Sequence, residues 1–294
     1  MSCCNIDSLH SGPVRGAIRI IKNIPTYITF PPGHASQSEE STKDNDTTHP
    51  AKWPKALLLL PEGHGIKLPN IQLLADTLSA NLSCPAILPD LFGAHSFPIV
   101  KPPNWDGDAA LEQFLANNHP GTVNPIVDEI LQWIDQPITQ GGFGGVETLG
   151  GVGYCFGGRY VIRLLAQGRI KAGVVNHPSF FTMDEVRELA VNSNNCEERG
   201  GFHGSDTAAP GDARLRPVFS PLAIFAAEED DILPEEKRRE MEDVLKQTGA
   251  TWSCRTFAQT GHGFTVRGDI SNPAARFAKE AALRGAVEWF DAFL

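Results

Sequence analysis

The chain has 294 residues, 41% hydrophobic and 20% charged, with a formal net charge of −10 at pH 7. This is an ordinary globular composition, and an acidic chain with no basic stripe cannot neutralise a phosphate backbone, which excludes nucleic acid as a partner. No apolar run approaches the ~20 residues a membrane helix needs, and six cysteines without small-domain spacing or a Cys-x-x-Cys pair suit neither a disulfide framework nor a zinc site.

The chain opens with Met1-Ser2-Cys3-Cys4-Asn5-Ile6-Asp7. It has neither a basic n-region nor an apolar h-region, so a cytoplasmic protein is expected, and Ser at position 2 excludes myristoylation. Residues 16–30 hold two short β-like runs, an N-terminal hairpin. Residues 31–54 are polar and read as a flexible insertion. A buried strand is expected over 55–60, a helix over 68–82 and a short strand over 85–91. Residues 94–125 are broken by Pro and Asn, with one helix near 108–117, and such excursions commonly cap a site. An amphipathic helix is expected over 126–136, and a Gly-rich loop over 141–145 leads to a strand over 146–154.

That strand ends in Gly153-Tyr154-Cys155-Phe156-Gly157. A helical stretch follows from Gly158 to Leu165. Strand, sharp turn and helix, with small residues two before and two after the central one, is the nucleophile elbow of α/β-hydrolases with Cys in place of Ser. The helix start aims its free N–H groups and positive dipole end at the sulfur, favouring thiolate over thiol. A dinucleotide fingerprint from Gly151 fails at its sixth position, Phe156, and no Walker lysine is present, so no nucleotide cofactor is expected.

A strand over 172–175 precedes Asn176-His177-Pro178-Ser179, where a site role stays open. Residues 192–217 form a second polar insertion. The apolar run from Leu222 to Ala227 leads to Asp230-Asp231-Ile232-Leu233-Pro234, then a helix to 248. A strand-like stretch over 251–257 leads to Gly261-His262-Gly263-Phe264, and a helix is expected over 274–294. Strands alternating with helices mean a mainly parallel central sheet with helices on both faces, an α/β fold. One domain is expected over 1–294. The order nucleophile, acid, histidine, each just past a strand, is the order used by the α/β-hydrolase fold.

These segments resemble the dienelactone hydrolase (carboxymethylenebutenolidase-like) family, from about Gly16 to the end. Gly153–Gly158 looks like its nucleophile turn and His262-Gly263-Phe264 like its histidine loop. Asp230, four residues before Pro234, matches the acid position better than Asp231. Pro61-Glu62-Gly63-His64-Gly65 matches a segment whose glutamate contacts the resting nucleophile. The Met1–Cys4 opening also looks like fungal members. The resemblance implies a cofactor-free acyl hydrolase in which Cys155, Asp230 and His262 are catalytic. Glu62 is then either the nucleophile-contacting residue or a surface carboxylate.

The oxyanion donors expected are the backbone N–H groups of Phe156 and Gly63. The family reads a substrate carboxylate with arginines, one of them four residues past the histidine. Here Val266 stands there, Arg267 stands one further on as the candidate substrate-binding residue, and residues 98–125 contain no arginine. The expected substrate is a small molecule with an activated acyl bond: an enol lactone, aryl ester or thioester, the last carried free or on a carrier protein. Two other readings stand beside this one. The first is chain release, cyclisation or isomerisation in polyketide secondary metabolism. The second is a non-catalytic binding protein of the same fold.

Overall fold

The computed structural model describes residues 12–34, 52–190 and 221–294. The insertion expected over 192–217 lies outside the described residues, as does most of the one over 31–54.

One eight-stranded sheet organises the described chain, in the order β1-β2-β4-β3-β5-β6-β7-β8. The strands are β1 (Ala17–Ile21), β2 (Ile24–Thr29), β3 (Trp53–Leu60), β4 (Ala86–Pro89), β5 (Val146–Tyr154), β6 (Ala172–Asn176), β7 (Leu222–Glu229) and β8 (Trp252–Gly261). The β1–β2 hairpin is antiparallel and β2 pairs antiparallel with β4; the other pairings are parallel. After β3 the chain runs to β4 on one side, then returns to lay β5 on the other. This reversal is a topological switch point, which opens a crevice at the carboxyl ends of β3 and β5.

The run Leu57–Leu60 is fully buried at every position because helices cover both faces. Its side chains part alternately. Leu57 and Leu59 pack against α1 (Pro69–Leu82) and α8 (Pro273–Phe293), on residues such as Ile71, Leu78, Ala282 and Phe290. Leu58 and Leu60 join Val127 and Ile130 of α3 (Pro120–Asp135), Val161 of α4 (Phe156–Ala166) and Val244 of α6 (Glu235–Thr248). Each such burial contributes about 1.5–3 kcal/mol.

The elements follow the sequence reading closely, with three differences. The helix expected over 126–136 begins at Pro120. Pro125 reads as a boundary, but the stronger start signal lies upstream: His119 caps the helix, its Nδ1 accepting from Gly121 N at 3.1 Å, and Pro120 occupies the first turn. Two short helices were not anticipated, α5 (Met183–Arg187) and α7 (Phe264–Arg267). The remaining helix is α2 (Gly107–Asn117), capped by Asp106. Finally, β8 runs four residues past Phe257, which delivers His262 directly from the strand end.

Candidate active site

Cys155 sits between β5 and α4 with φ 49° and ψ −114°. A non-glycine residue there costs about 1–3 kcal/mol and persists only where its surroundings hold it. Cys155 N donates to Asn176 O at 3.0 Å, and Cys155 O accepts from Gly158 N and Ser179 N, each at 3.0 Å. The flanking glycines are required by close approach. A Cβ on Gly157 would lie 2.0 Å from the Leu60 carbonyl oxygen, and one on Gly153 would lie 2.6 Å from the Gly157 oxygen. The turn therefore presses α4 onto the exit of β3, with the Cys155 side chain at the mouth of the first helical turn.

His262 and Asp230 lie at the ends of β8 and β7, both buried. His262 Nδ1 meets Asp230 Oδ2 at 2.8 Å. The other carboxylate oxygen, Oδ1, accepts from Ile232 N and Leu233 N, each at 2.9 Å. Burial by itself would raise the Asp230 carboxyl, but His262 and these two amides outweigh it and hold it below its ordinary value. Asp231 is exposed and turned out to solvent. Burial likewise pulls the His262 imidazolium down. The hydrogen-bonded Cys155 sulfur and the Asp230 carboxylate override it and push the group up to about 10. The three sequence-selected residues are thus brought together, with the imidazole held in its charged form between Asp230 and the sulfur.

Sequence reasoning left Ser179 unassigned. Its Oγ lies 3.4 Å from Cys155 Sγ, 3.5 Å from His262 Nε2 and 3.3 Å from His177 O. The available signal was its place three residues past the end of β6, at the same level as the other site residues. His177 is fully buried, with Nε2 at 2.8 Å from Thr265 Oγ1 and its ring edge-on to that of His262, centroids 4.9 Å apart. Burial, then the charges of His262 and Arg267, keep it well below the ordinary histidine value, so it stays neutral.

Arg267 is not presented to solvent. It is 1% exposed, and its Nε donates to Glu62 Oε2 at 2.8 Å. Glu62 is equally buried, so it is no surface carboxylate, and its recorded partner is this guanidinium rather than the thiol. α7, which carries Arg267, is pinned from two sides. Lys279 of α8 donates to Thr265 O at 2.6 Å and Val266 O at 2.9 Å, and Asn70 of α1 donates to Val266 O at 2.9 Å. Burial lowers the Lys279 ammonium to about 7, with Glu62 opposing.

Gly63 follows β3 and Phe156 opens α4, so the two backbone segments flank the Cys155 turn. As the first residue of α4, Phe156 carries one of the four N–H groups that no helical carbonyl can take. A Cβ on Gly63 would lie 2.5 Å from the Phe97 ring, so only glycine fits beneath it. Above this level the rings of Phe92, Phe97, Phe114 and Phe156 interlock, Phe97 and Phe114 stacking at 4.5 Å and Phe114 meeting Phe156 edge-on at 5.3 Å. Among the described residues, no group of three metal-ligating side chains occurs and no helix is long and apolar enough to cross a membrane.

A mainly parallel eight-stranded sheet covered on both faces, with an elbow after β5 and further buried polar groups at the ends of β3, β6, β7 and β8, defines an α/β-hydrolase. The solved structures agree in fold. A putative dienelactone hydrolase from Klebsiella pneumoniae matches with a TM-score of 0.64 at 16% identity, over 95% of this chain and 99% of that one. The chain belongs to the dienelactone hydrolase family, whose model matches residues 46–294, and it is a hydrolase. Among curated relatives it is 30% identical to the hydrolase pyvD of Aspergillus violaceofuscus over 292 residues, 99% of this chain and 96% of the relative. It is also 30% identical to the hydrolase tropI of Talaromyces stipitatus over 297 residues, 100% of this chain and 96% of the relative.

Proposed function

We propose that the chain is a cysteine-dependent hydrolase of activated acyl bonds in small-molecule metabolism, acting through an acyl-thioester intermediate. The observation that carries this reading is the convergence on one point of Cys155 at the elbow, His262 and Asp230. In this mechanism the Cys155 thiolate attacks the acyl carbon, a carbon–sulfur bond forms and the carbonyl electron pair moves to oxygen. The N–H groups of Phe156 and Gly63 receive that charge. Collapse expels the leaving group, which takes a proton from His262. Water then attacks the thioester with His262 as base, and the carbon–sulfur bond breaks to release the acid and restore the thiolate. Asp230 fixes the imidazole's orientation and stabilises its cation, as the third member does in such triads.

Sulfur is a better leaving group than an alkoxide, so the intermediate formed on a simple alkyl ester reverts. Enol lactones, aryl esters and thioesters carry leaving groups good enough to compete. The burial of Arg267 against Glu62 and the aromatic surround favour an uncharged, ring-bearing acyl group over a dicarboxylate. Comparing kcat/KM across an enol lactone, an aryl ester, an acyl thioester and an ethyl ester of one acyl group tests this. The ethyl ester should be slower by about 100-fold or more, equivalent to about 2.7 kcal/mol in the barrier. Equal turnover of all four would remove the thioester route.

A further inference from the structure

We propose that the Ser179 hydroxyl donates a hydrogen bond to the Cys155 thiolate and releases it when the sulfur is protonated. The inference rests on the reading of Cys155 as nucleophile. A hydroxyl has one proton and two lone pairs. Three groups surround Ser179 Oγ: Cys155 Sγ at 3.4 Å, the His177 carbonyl at 3.3 Å and His262 Nε2 at 3.5 Å. When the sulfur is a neutral thiol, the carbonyl is the better acceptor and receives the hydroxyl's hydrogen bond. When it is a thiolate, the hydroxyl turns to the sulfur and donates to it, alongside the His262 imidazolium that the sulfur already meets. No proton is transferred by the hydroxyl itself. It adds a second hydrogen bond to the charged sulfur, and bonds to charged groups are roughly twice as strong as neutral ones.

The loop is built to hold this oxygen in place. His177 stands at φ 39°, with its N–H bonded to Phe225 O at 2.7 Å and its Nε2 to the Thr265 hydroxyl. Pro178 packs so closely on α4 that a Cβ on Gly158 would lie 2.7 Å from its own Cβ. Ser179 N donates to Cys155 O at 3.0 Å, and the residue is fully buried. A serine needed only to fill space would not require its backbone, its preceding proline and its preceding histidine all to be fixed against the elbow.

The test is the rate of Cys155 alkylation by iodoacetamide against pH, followed by mass spectrometry of the peptide that contains it. Cys84 and Cys254 do not compete, since burial pushes both thiols up to about 12. The other groups that charge this site are His262 with Asp230 behind it, neutral His177, the Glu62–Arg267 pair and Lys279. All remain in the full-length Ser179→Ala variant, so the difference reads the hydroxyl. The midpoint of the profile should rise by about one pH unit, a tenfold change in the thiolate equilibrium, while the plateau at high pH stays. Ser179→Thr, which restores a hydroxyl, should return the midpoint. If the alanine variant does not fold, Ser179→Gly carries the same comparison. Profiles that coincide for wild type and the hydroxyl-less variant would overturn the inference. Wild-type hydrolysis by Cys155→Ala would instead overturn the nucleophile reading and leave the alkylation result standing, so the two failures are distinguishable.

Discussion

Cys155→Ala should lower kcat/KM on an aryl ester by about 10⁴-fold or more while leaving the fold intact. The substitution removes one sulfur atom and keeps a Cβ at φ 49°, so the elbow loses no backbone hydrogen bond. Members of a catalytic triad act as a unit, and loss of the nucleophile costs nearly as much as loss of the whole set. His262→Ala should therefore fall by a similar factor, and the double variant should be no worse than either single one. The pH dependence of stability gives a second readout. The group raised in the folded state is His262, from 6.5 to about 10. Its contribution is full below 6.5 and is lost as pH rises through about 10. Lys279 acts oppositely: lowered from 10.5 to about 7, it makes stability rise between those values. Lys279 is common to both proteins, so the wild type minus Cys155→Ala difference isolates the sulfur's part. That difference should shrink as pH climbs from about 8.5, where the unfolded thiol ionises, to about 10. A variant that keeps a tenth of wild-type activity would remove Cys155 from the chemistry.

Arg267→Met should destabilise the protein by about 3–5 kcal/mol, because it leaves the buried Glu62 carboxylate without its cation. Both side chains are 1% exposed, so solvent cannot take over. Glu62 Oε1 already has no hydrogen-bond partner among the described residues, and Oε2 would lose the recorded one. In a protein of this size the loss corresponds to a fall in Tm of roughly 10 °C. The double variant Glu62→Gln, Arg267→Met removes both charges and should recover part of the deficit, giving a coupling energy of at least about 1 kcal/mol in the cycle. Urea unfolding of the four proteins measures it. A loss below about 1 kcal/mol in the single variant would mean that the pair is not held dry.

What the sequence made legible was governed by local rules. The elbow announces itself because a turn this tight admits only small residues beside the nucleophile, and a Cβ on Gly153 or Gly157 would lie within 3 Å of backbone atoms. The acid and histidine positions follow from runs that end in Asp230 and His262, since a parallel sheet presents its strand ends on one side. The fate of Arg267 was not legible. Its partner Glu62 is 205 residues away in sequence, and the short helix α7 that turns it inward has only four residues. Ser179 was legible only as part of a strand-end segment whose role stayed open, because its contacts lie at the neighbouring ends of β5 and β8. The start of α3 was missed because Pro125 is a stronger stop signal in sequence than His119 is a cap.

The most direct measurement is rapid quenching of the enzyme with an excess of a slowly deacylating aryl ester, followed by mapping of the acyl group on peptides. Acyl mass is expected on the peptide containing Cys155, released by neutral hydroxylamine as a thioester is. Acyl mass on Ser179 or another residue, or turnover with no acylated peptide at any time, would contradict that assignment.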